Sequence, residues 1–82
     1  MAKRRITSQE YWSLNPMGRE LHDYWMNSKP KMYREMAENG SLLELLRSEG
    51  NRIDEMVMDL ISSGMSPDGA LEIGRAEIHG ET

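Results

Sequence analysis

The sequence contains no cysteine and no phenylalanine among its 82 residues. The absence of cysteine excludes disulfide bonds, a cysteine-ligated zinc site and a thiol nucleophile. No apolar run approaches the roughly 20 residues that a membrane-spanning helix needs, and the basic N-terminus is not followed by the apolar core of a signal peptide. We therefore expect one soluble, cytoplasmic domain without a membrane partner.

Strand signals are also missing, since no run alternates β-branched and polar residues. Helix start signals are frequent instead: Thr7 to Glu10 matches a capping box, while Asn15-Pro16 and Ser66-Pro67 place a capping side chain before a proline at the first helical position. Asn39-Gly40 is a typical helix stop. The predicted helices are a short one after Thr7 and four more at about 16–26, 30–38, 42–63 and 67–79.

The fourth helix is the longest, and its leucine, isoleucine and valine residues recur at helical spacing. A second capping box, Ser41 to Glu44, is expected to start it. Gly50 and Asn51 interrupt the pattern, and glycine costs about 1 kcal/mol relative to alanine inside a helix. The sequence leaves open whether the helix bends there or divides in two.

These signals predict an all-α fold, a small single-domain bundle of about five short helices around one longer helix. The helical domain is predicted to span residues 7–79. Residues 1–6 are expected to form a flexible basic arm and residues 80–82 a frayed tail. No short helix can bury its apolar side alone, so we expect the others to pack against the fourth.

Catalysis is poorly supported by the residue types present. His22 and His79 are the only side chains that titrate near neutral pH without perturbation. Because His22 lies beside Glu20 and Asp23, we interpret it as a surface residue, and the spacing of these three does not match a metal-ligand motif. We expect a protein that is not an enzyme, with no catalytic residue, no metal and no cofactor.

Charge is distributed unevenly along the chain. Residues 1–36 carry seven cations and four carboxylates, a net +3, whereas residues 37–82 carry three cations and ten carboxylates, a net −7. The acidic part suggests a protein-binding surface on the helices, which could enter a basic groove. The candidate residues of this acidic face are Glu44, Asp54, Glu55, Asp59, Glu72 and Glu77.

The basic part supports the alternative hypothesis of a small DNA- or RNA-binding or regulatory protein. Its stretch YWMNSKPKMYREM combines aromatic rings with cations, as surfaces that bind a nucleic-acid strand do. Trp25 and Tyr33 fall on the apolar sides of their helices, however, so we interpret these rings as core residues. The candidate contacts to a partner or to nucleic acid are Lys3, Arg4 and Arg5 in the arm, and Lys29, Lys31 and Arg34, which we call the basic corner.

Three segments give the chain a family resemblance between Leu21 and about Ile78. They are YWMNSKPKMYREM, AENGSLLELL and MDLISSGMSPDGALE. In their order they resemble the basic-Pro-Tyr segment, the glycine turn before a leucine helix, and the later helical hairpin of the TnpV family of small proteins encoded on bacterial transposons and related mobile elements. The resemblance implies a mobile-element accessory protein and no catalytic residue. We therefore expect a non-enzymatic mobile-element or phage accessory protein that binds a host or mobile-element nucleic-acid-handling complex stoichiometrically. The most specific version is an anti-CRISPR-like inhibitor that acts through the acidic face.

Overall fold

The computed structural model describes residues 6–80, and five α-helices make up most of this range. The part of the chain that is described contains no strand, so the all-α prediction is confirmed. Each predicted helix is present, with ends within two residues of those expected. The helices are α1 Ser8–Ser13, α2 Pro16–Ser28, α3 Pro30–Asn39, α4 Leu42–Ser62 and α5 Pro67–His79.

Three of the predicted helix starts form as expected. The Thr7 hydroxyl accepts the Glu10 amide at 3.1 Å, and the Glu10 carboxylate accepts the Thr7 amide at 2.8 Å, which completes the capping box of α1. The side chain of Asn15 caps α2 and that of Ser66 caps α5. In each case the capping residue has an extended backbone, the conformation that directs its side chain at the free amides of the first turn.

The capping box predicted at the start of α4 is wrong, although the helix does start at Leu42. Ser41 has a helical backbone conformation and makes no side-chain capping bond. Its amide donates to the Met36 carbonyl and to the Asn39 side chain, both at 3.0 Å. Gly40, in the left-handed conformation at φ 84°, ends α3 in a turn that uses the Ser41 amide, so Glu44 has no amide left to accept there.

Helix α4 is continuous through Gly50, which answers the question that the sequence left open. Gly50 is buried where α4 crosses α2. A Cβ atom at position 50 would lie 2.8 Å from the Cα atom of Gly18, closer than real Cβ contacts. The two glycines therefore allow the two backbones to approach, and Gly50 is a packing residue rather than a helix break.

The core lies around α4, which packs against α2, α3 and α5, while α2 also contacts α3 and α5. Leu46 and Ile53 of α4 are fully buried at its centre. An exposed ion pair, Arg75 Nε to Glu20 at 2.7 Å, joins α5 to α2. The buried apolar residues are Leu14, Met17, Leu21, Tyr33, Ala37, Leu42, Leu46, Ile53, Val57, Ala70 and Ile78.

The predicted basic arm and tail fall largely outside the described residues. Lys3, Arg4 and Arg5 lie in residues 1–5, and the tail ends in residues 81–82, neither of which the structure describes. Ile6, the last residue of the predicted arm, is half-buried and packs against the core. Within residues 6–80, no helix combines the length and the apolar character needed to cross a membrane.

Candidate binding surfaces

The outer side of α4 carries three exposed carboxylates of the acidic face. Glu44, Glu55 and Asp59 are exposed and lie on the side of the helix opposite Leu46 and Ile53. Their separations of 11 and 4 positions place them within about 60° of one another around a helix of 3.6 residues per turn. They extend over about 22 Å of helix at 1.5 Å per residue. Three of the carboxylates chosen from the sequence therefore form a row on the outer side of α4.

The other three members of the acidic face are less uniform. Asp54 is half-buried, and Glu72 is exposed on α5. Glu77 faces α4, where its carboxylate lies 3.4 Å from the Arg52 guanidinium, which also binds Glu49 at 2.9 Å. The hydrogen bond and charge of Glu49, and then those of Glu77, raise the pKa of Arg52. Glu77 is therefore partly neutralised, and the outer row on α4 is the stronger part of the acidic face.

Met58 adds an apolar side chain to this row, a feature that the sequence interpretation did not use. Its side chain is 56% exposed and lies between Glu55 and Asp59 in sequence, on the same outer side of α4. The helical period could have located it, because position 58 falls three residues after Glu55. Met58 therefore gives the acidic face an apolar side chain that a partner can remove from water.

The basic corner lies where α2 meets α3. Lys29, Lys31 and Arg34 are all exposed, as expected for solvent-facing cations. Within residues 6–80, none of these three forms an ion pair with a carboxylate. Lys3, Arg4 and Arg5, the other candidate cations, lie outside the described residues.

The aromatic rings near the basic corner are used for packing. Tyr33 is buried, and Trp25 is half-buried against the core. The ring of Tyr24 stacks on His79 of α5, with centroids 4.6 Å apart. The interpretation of these rings as core residues is confirmed for Tyr33, and the other two are half-buried against the core.

His22 was expected at the surface, and this interpretation is wrong. The side chain is buried, and its Nε2 atom lies 2.8 Å from the Tyr33 hydroxyl of α3. Its Nδ1 atom lies 3.0 Å from an Asp23 carboxylate oxygen. Burial follows from the position of His22 beside Leu21 on the inner side of α2, where Tyr33 supplies a partner that the local sequence does not reveal.

Asp23 joins this group to α1. Its carboxylate accepts the Tyr11 hydroxyl at 3.2 Å, and the Tyr11 and His22 rings meet edge to face at 5.1 Å. Burial, followed by the charge and hydrogen bond of Asp23, raises the pKa of Tyr11, while Arg19 acts in the opposite direction. Three helices are thus linked by one chain of polar side chains, Tyr11, Asp23, His22 and Tyr33.

Metal binding gains no geometric support from the described part of the chain. Residues 6–80 contain no group of three or more histidine and carboxylate side chains placed to hold a metal ion. The surface features that remain are the acidic face with Met58 and the cations at the α2–α3 end. Comparisons with protein-family models, with curated proteins and with solved structures find no match for this chain.

Proposed function

We propose that the protein acts without catalysis, by stoichiometric binding of a protein partner through its acidic face. The observation that carries this proposal is the exposed Met58 side chain beside Glu55 and Asp59 on the outer side of α4. Binding energy at protein interfaces is concentrated in a few side chains that become fully desolvated, with charged groups around them. Met58 has the character of such a centre, and the carboxylates that of its rim.

The partner that fits this surface is a basic protein. Carboxylates spread along about 22 Å of α4 attract a groove lined by lysine and arginine and accelerate association with it. Grooves of that kind are typical of proteins that hold nucleic acid. With the resemblance to the TnpV family, this supports a cytoplasmic host or mobile-element nucleic-acid-handling complex as the target. Inhibition of a host defence complex, as by an anti-CRISPR protein, is the most specific form of the proposal.

The first experiment identifies the partner and tests the surface together. The wild-type protein and the Glu55→Gln/Asp59→Asn variant are immobilised, and nuclease-treated host lysate is passed over both. A matched control changes Lys31→Gln and Arg34→Gln, which removes the same number of charges from the basic corner. We expect a basic protein that the wild type and the control retain and that the acidic-face variant loses.

The second experiment measures the affinity of the purified captured protein at several salt concentrations. Neutralising Glu55 and Asp59 should weaken binding mainly at low salt, because salt screens exposed charges. Met58→Ala should weaken binding at every salt concentration, because it removes apolar contact rather than charge. Equal affinities for wild type, Met58→Ala and the double variant would refute the acidic face as the binding surface.

A further inference from the structure

A cleft opens between α1 and the corner where α2 meets α3. Tyr11 and Trp12 of α1 form one side of it, and Met26 and Tyr33 form part of the other, with His22 also in contact. Its volume is ≈ 160 Å³, well below the 300–1,000 Å³ of pockets that enclose drug-sized ligands. A space of this size suits one flat ring rather than a whole small molecule.

Trp12 gives the cleft an exposed but oriented aromatic ring. The residue is 68% exposed, the highest value among the exposed large apolar residues of the described chain. The Arg19 guanidinium lies 5.1 Å from the centre of its ring, and the Tyr11 ring meets it edge to face at 5.2 Å. Arg19 is itself fixed, because its Nη1 atom donates to the Leu14 carbonyl at 2.6 Å. Arg19 and Tyr11 therefore orient the Trp12 ring while most of its surface stays exposed.

One cation contacts this ring, and others are close to the cleft residues in sequence. Arg19 lies against it, and the exposed Lys29 follows Met26, a residue of the cleft, by three positions at the end of α2. In the sequence, the segment Lys3-Arg4-Arg5 directly precedes Ile6, which also contacts the cleft.

The helices α1 and α2 carry three carboxylates, those of Glu10, Glu20 and Asp23, and each is already bonded within the protein. Glu20 pairs with Arg75 of α5. Glu10 accepts the Thr7 amide in the capping box. Asp23 accepts the Tyr11 hydroxyl and is bonded to His22. The carboxylates of the acidic face belong to α4 and α5, which do not line the cleft.

We infer that this cleft binds an unpaired base of a single-stranded nucleic acid, with the base stacked on Trp12 and the backbone phosphates near Arg19 and Lys29. Stacking needs only the flat face that every base has, and it is combined with cations in proteins that bind single strands without sequence preference. A duplex keeps its bases stacked inside and offers no free face. This site differs from the basic-aromatic site suggested by residues 24–36, because its exposed ring comes from α1.

The affinity of a fluorescein-labelled oligothymidylate tests the inference by fluorescence anisotropy at low salt, with the corresponding duplex as a competitor. Trp12→Ala should weaken binding on the order of 5- to 150-fold, the range of one lost base–aromatic stack. Ile73→Ala, which also truncates an exposed apolar side chain but on α5 and outside the cleft, should leave the affinity unchanged. Circular dichroism of both variants should match the wild type, because neither side chain is buried.

Two further measurements separate stacking from charge. In a Trp25→Phe background Trp12 is the single tryptophan, and its emission should be quenched as the oligonucleotide binds. The logarithm of the affinity should fall linearly with the logarithm of salt concentration, and Lys29→Ala should reduce that slope by about 0.7, the value for one phosphate contact on a single strand.

Three outcomes would overturn the inference. They are no binding of the oligonucleotide by the wild type at low salt, an affinity that Trp12→Ala does not change, and equal competition by duplex and single strand. If the wild type binds no oligonucleotide but Trp12→Ala abolishes capture of a protein from nuclease-treated lysate, the cleft is a protein-docking site instead.

Discussion

The Nε2 atom of His22 lies 2.8 Å from the hydroxyl oxygen of Tyr33, inside the protein and between α2 and α3. The other ring nitrogen faces Asp23, whose carboxylate can only accept a hydrogen bond when it is ionised. A neutral His22 must therefore carry its proton on Nδ1, and Tyr33 must donate to Nε2. The bond thus fixes the tautomer of the histidine as well as the position of α3.

Tyr33→Phe tests this bond by removing the only hydrogen-bond partner of Nε2 in the described structure. The buried nitrogen would be left unsatisfied, which costs about 1–3 kcal/mol of unfolding free energy. The measurement is urea unfolding followed by circular dichroism at neutral pH. Tyr24→Phe is the matched control, because Tyr24 stacks on His79 through its ring, and a change within about 0.5 kcal/mol is expected there. Equal losses in the two variants would contradict the proposed role of the hydroxyl.

The local signals at helix ends were predictable because each depends on a few neighbouring residues. Thr7, Asn15 and Ser66 cap their helices as the sequence indicates. Ser41 has the same local pattern but does not cap α4 with its side chain. The left-handed Gly40 before it directs the Ser41 amide to the Met36 carbonyl of α3. A capping motif directly after a glycine stop thus competes with the turn that ends the preceding helix.

The difference between used and unused caps gives a second prediction. Asn15→Ala should lower the unfolding free energy by about 0.5–2 kcal/mol, because the side chain accepts the Gly18 amide at 2.8 Å. Ser41→Ala should change it by less than about 0.5 kcal/mol, because no capping bond is lost. Thermal or urea unfolding of the two variants measures both values. A loss at Ser41 as large as that at Asn15 would show that the serine does cap α4.

Long-range contacts explain the features that the sequence could not predict. His22 is next to acidic residues in the sequence, and only its contact with Tyr33 of α3 shows that it is buried. Gly50 is identified as a packing residue only by Gly18, which lies 32 positions earlier in the chain. Helical periodicity located the carboxylates of α4, but it does not show which outward side chains meet a partner. The position of the Trp12 ring also depends on another helix, since the Arg19 guanidinium of α2 lies over it.

Gly50→Ala should destabilise the protein even though alanine is the better helix former by about 1 kcal/mol. The added Cβ atom would meet the Gly18 backbone at 2.8 Å, and a backbone cannot move unless α2 and α4 separate. We expect a net loss of roughly 1–3 kcal/mol, as in other overpacked cores. Urea unfolding measures it, and the exposed Ser48→Ala on the same helix should change stability little.

Gly74→Ala is an informative comparison, because Gly74 lies where α5 packs against α4. There the added atom would lie 2.8 Å from a Val57 methyl group and 3.2 Å from the Met17 sulfur, both of which belong to side chains. Side chains can shift at lower cost than a backbone, so the loss should be smaller than at Gly50. A larger loss at Gly74 would show that the α4–α5 contact, rather than the α2–α4 crossing, limits the stability of the bundle.

The ionisation of Tyr11 gives the last prediction, because burial and Asp23 both raise its pKa above the ordinary value. Asp23→Asn removes the negative charge and should lower this pKa, although burial still keeps it above ordinary. Arg19→Gln should raise it further, because the Arg19 charge acts in the lowering direction. NMR measures the Tyr11 pKa in the wild type and both variants, from the shift of the Tyr11 ring resonances with pH.

The raised pKa also makes stability depend on pH. Since the phenol is held neutral in the folded state, its contribution to stability is complete below the unfolded pKa of about 10. That contribution is lost as the pH rises through the folded pKa. Shifts of the same sign in Asp23→Asn and Arg19→Gln would contradict the electrostatic link between α1 and α2.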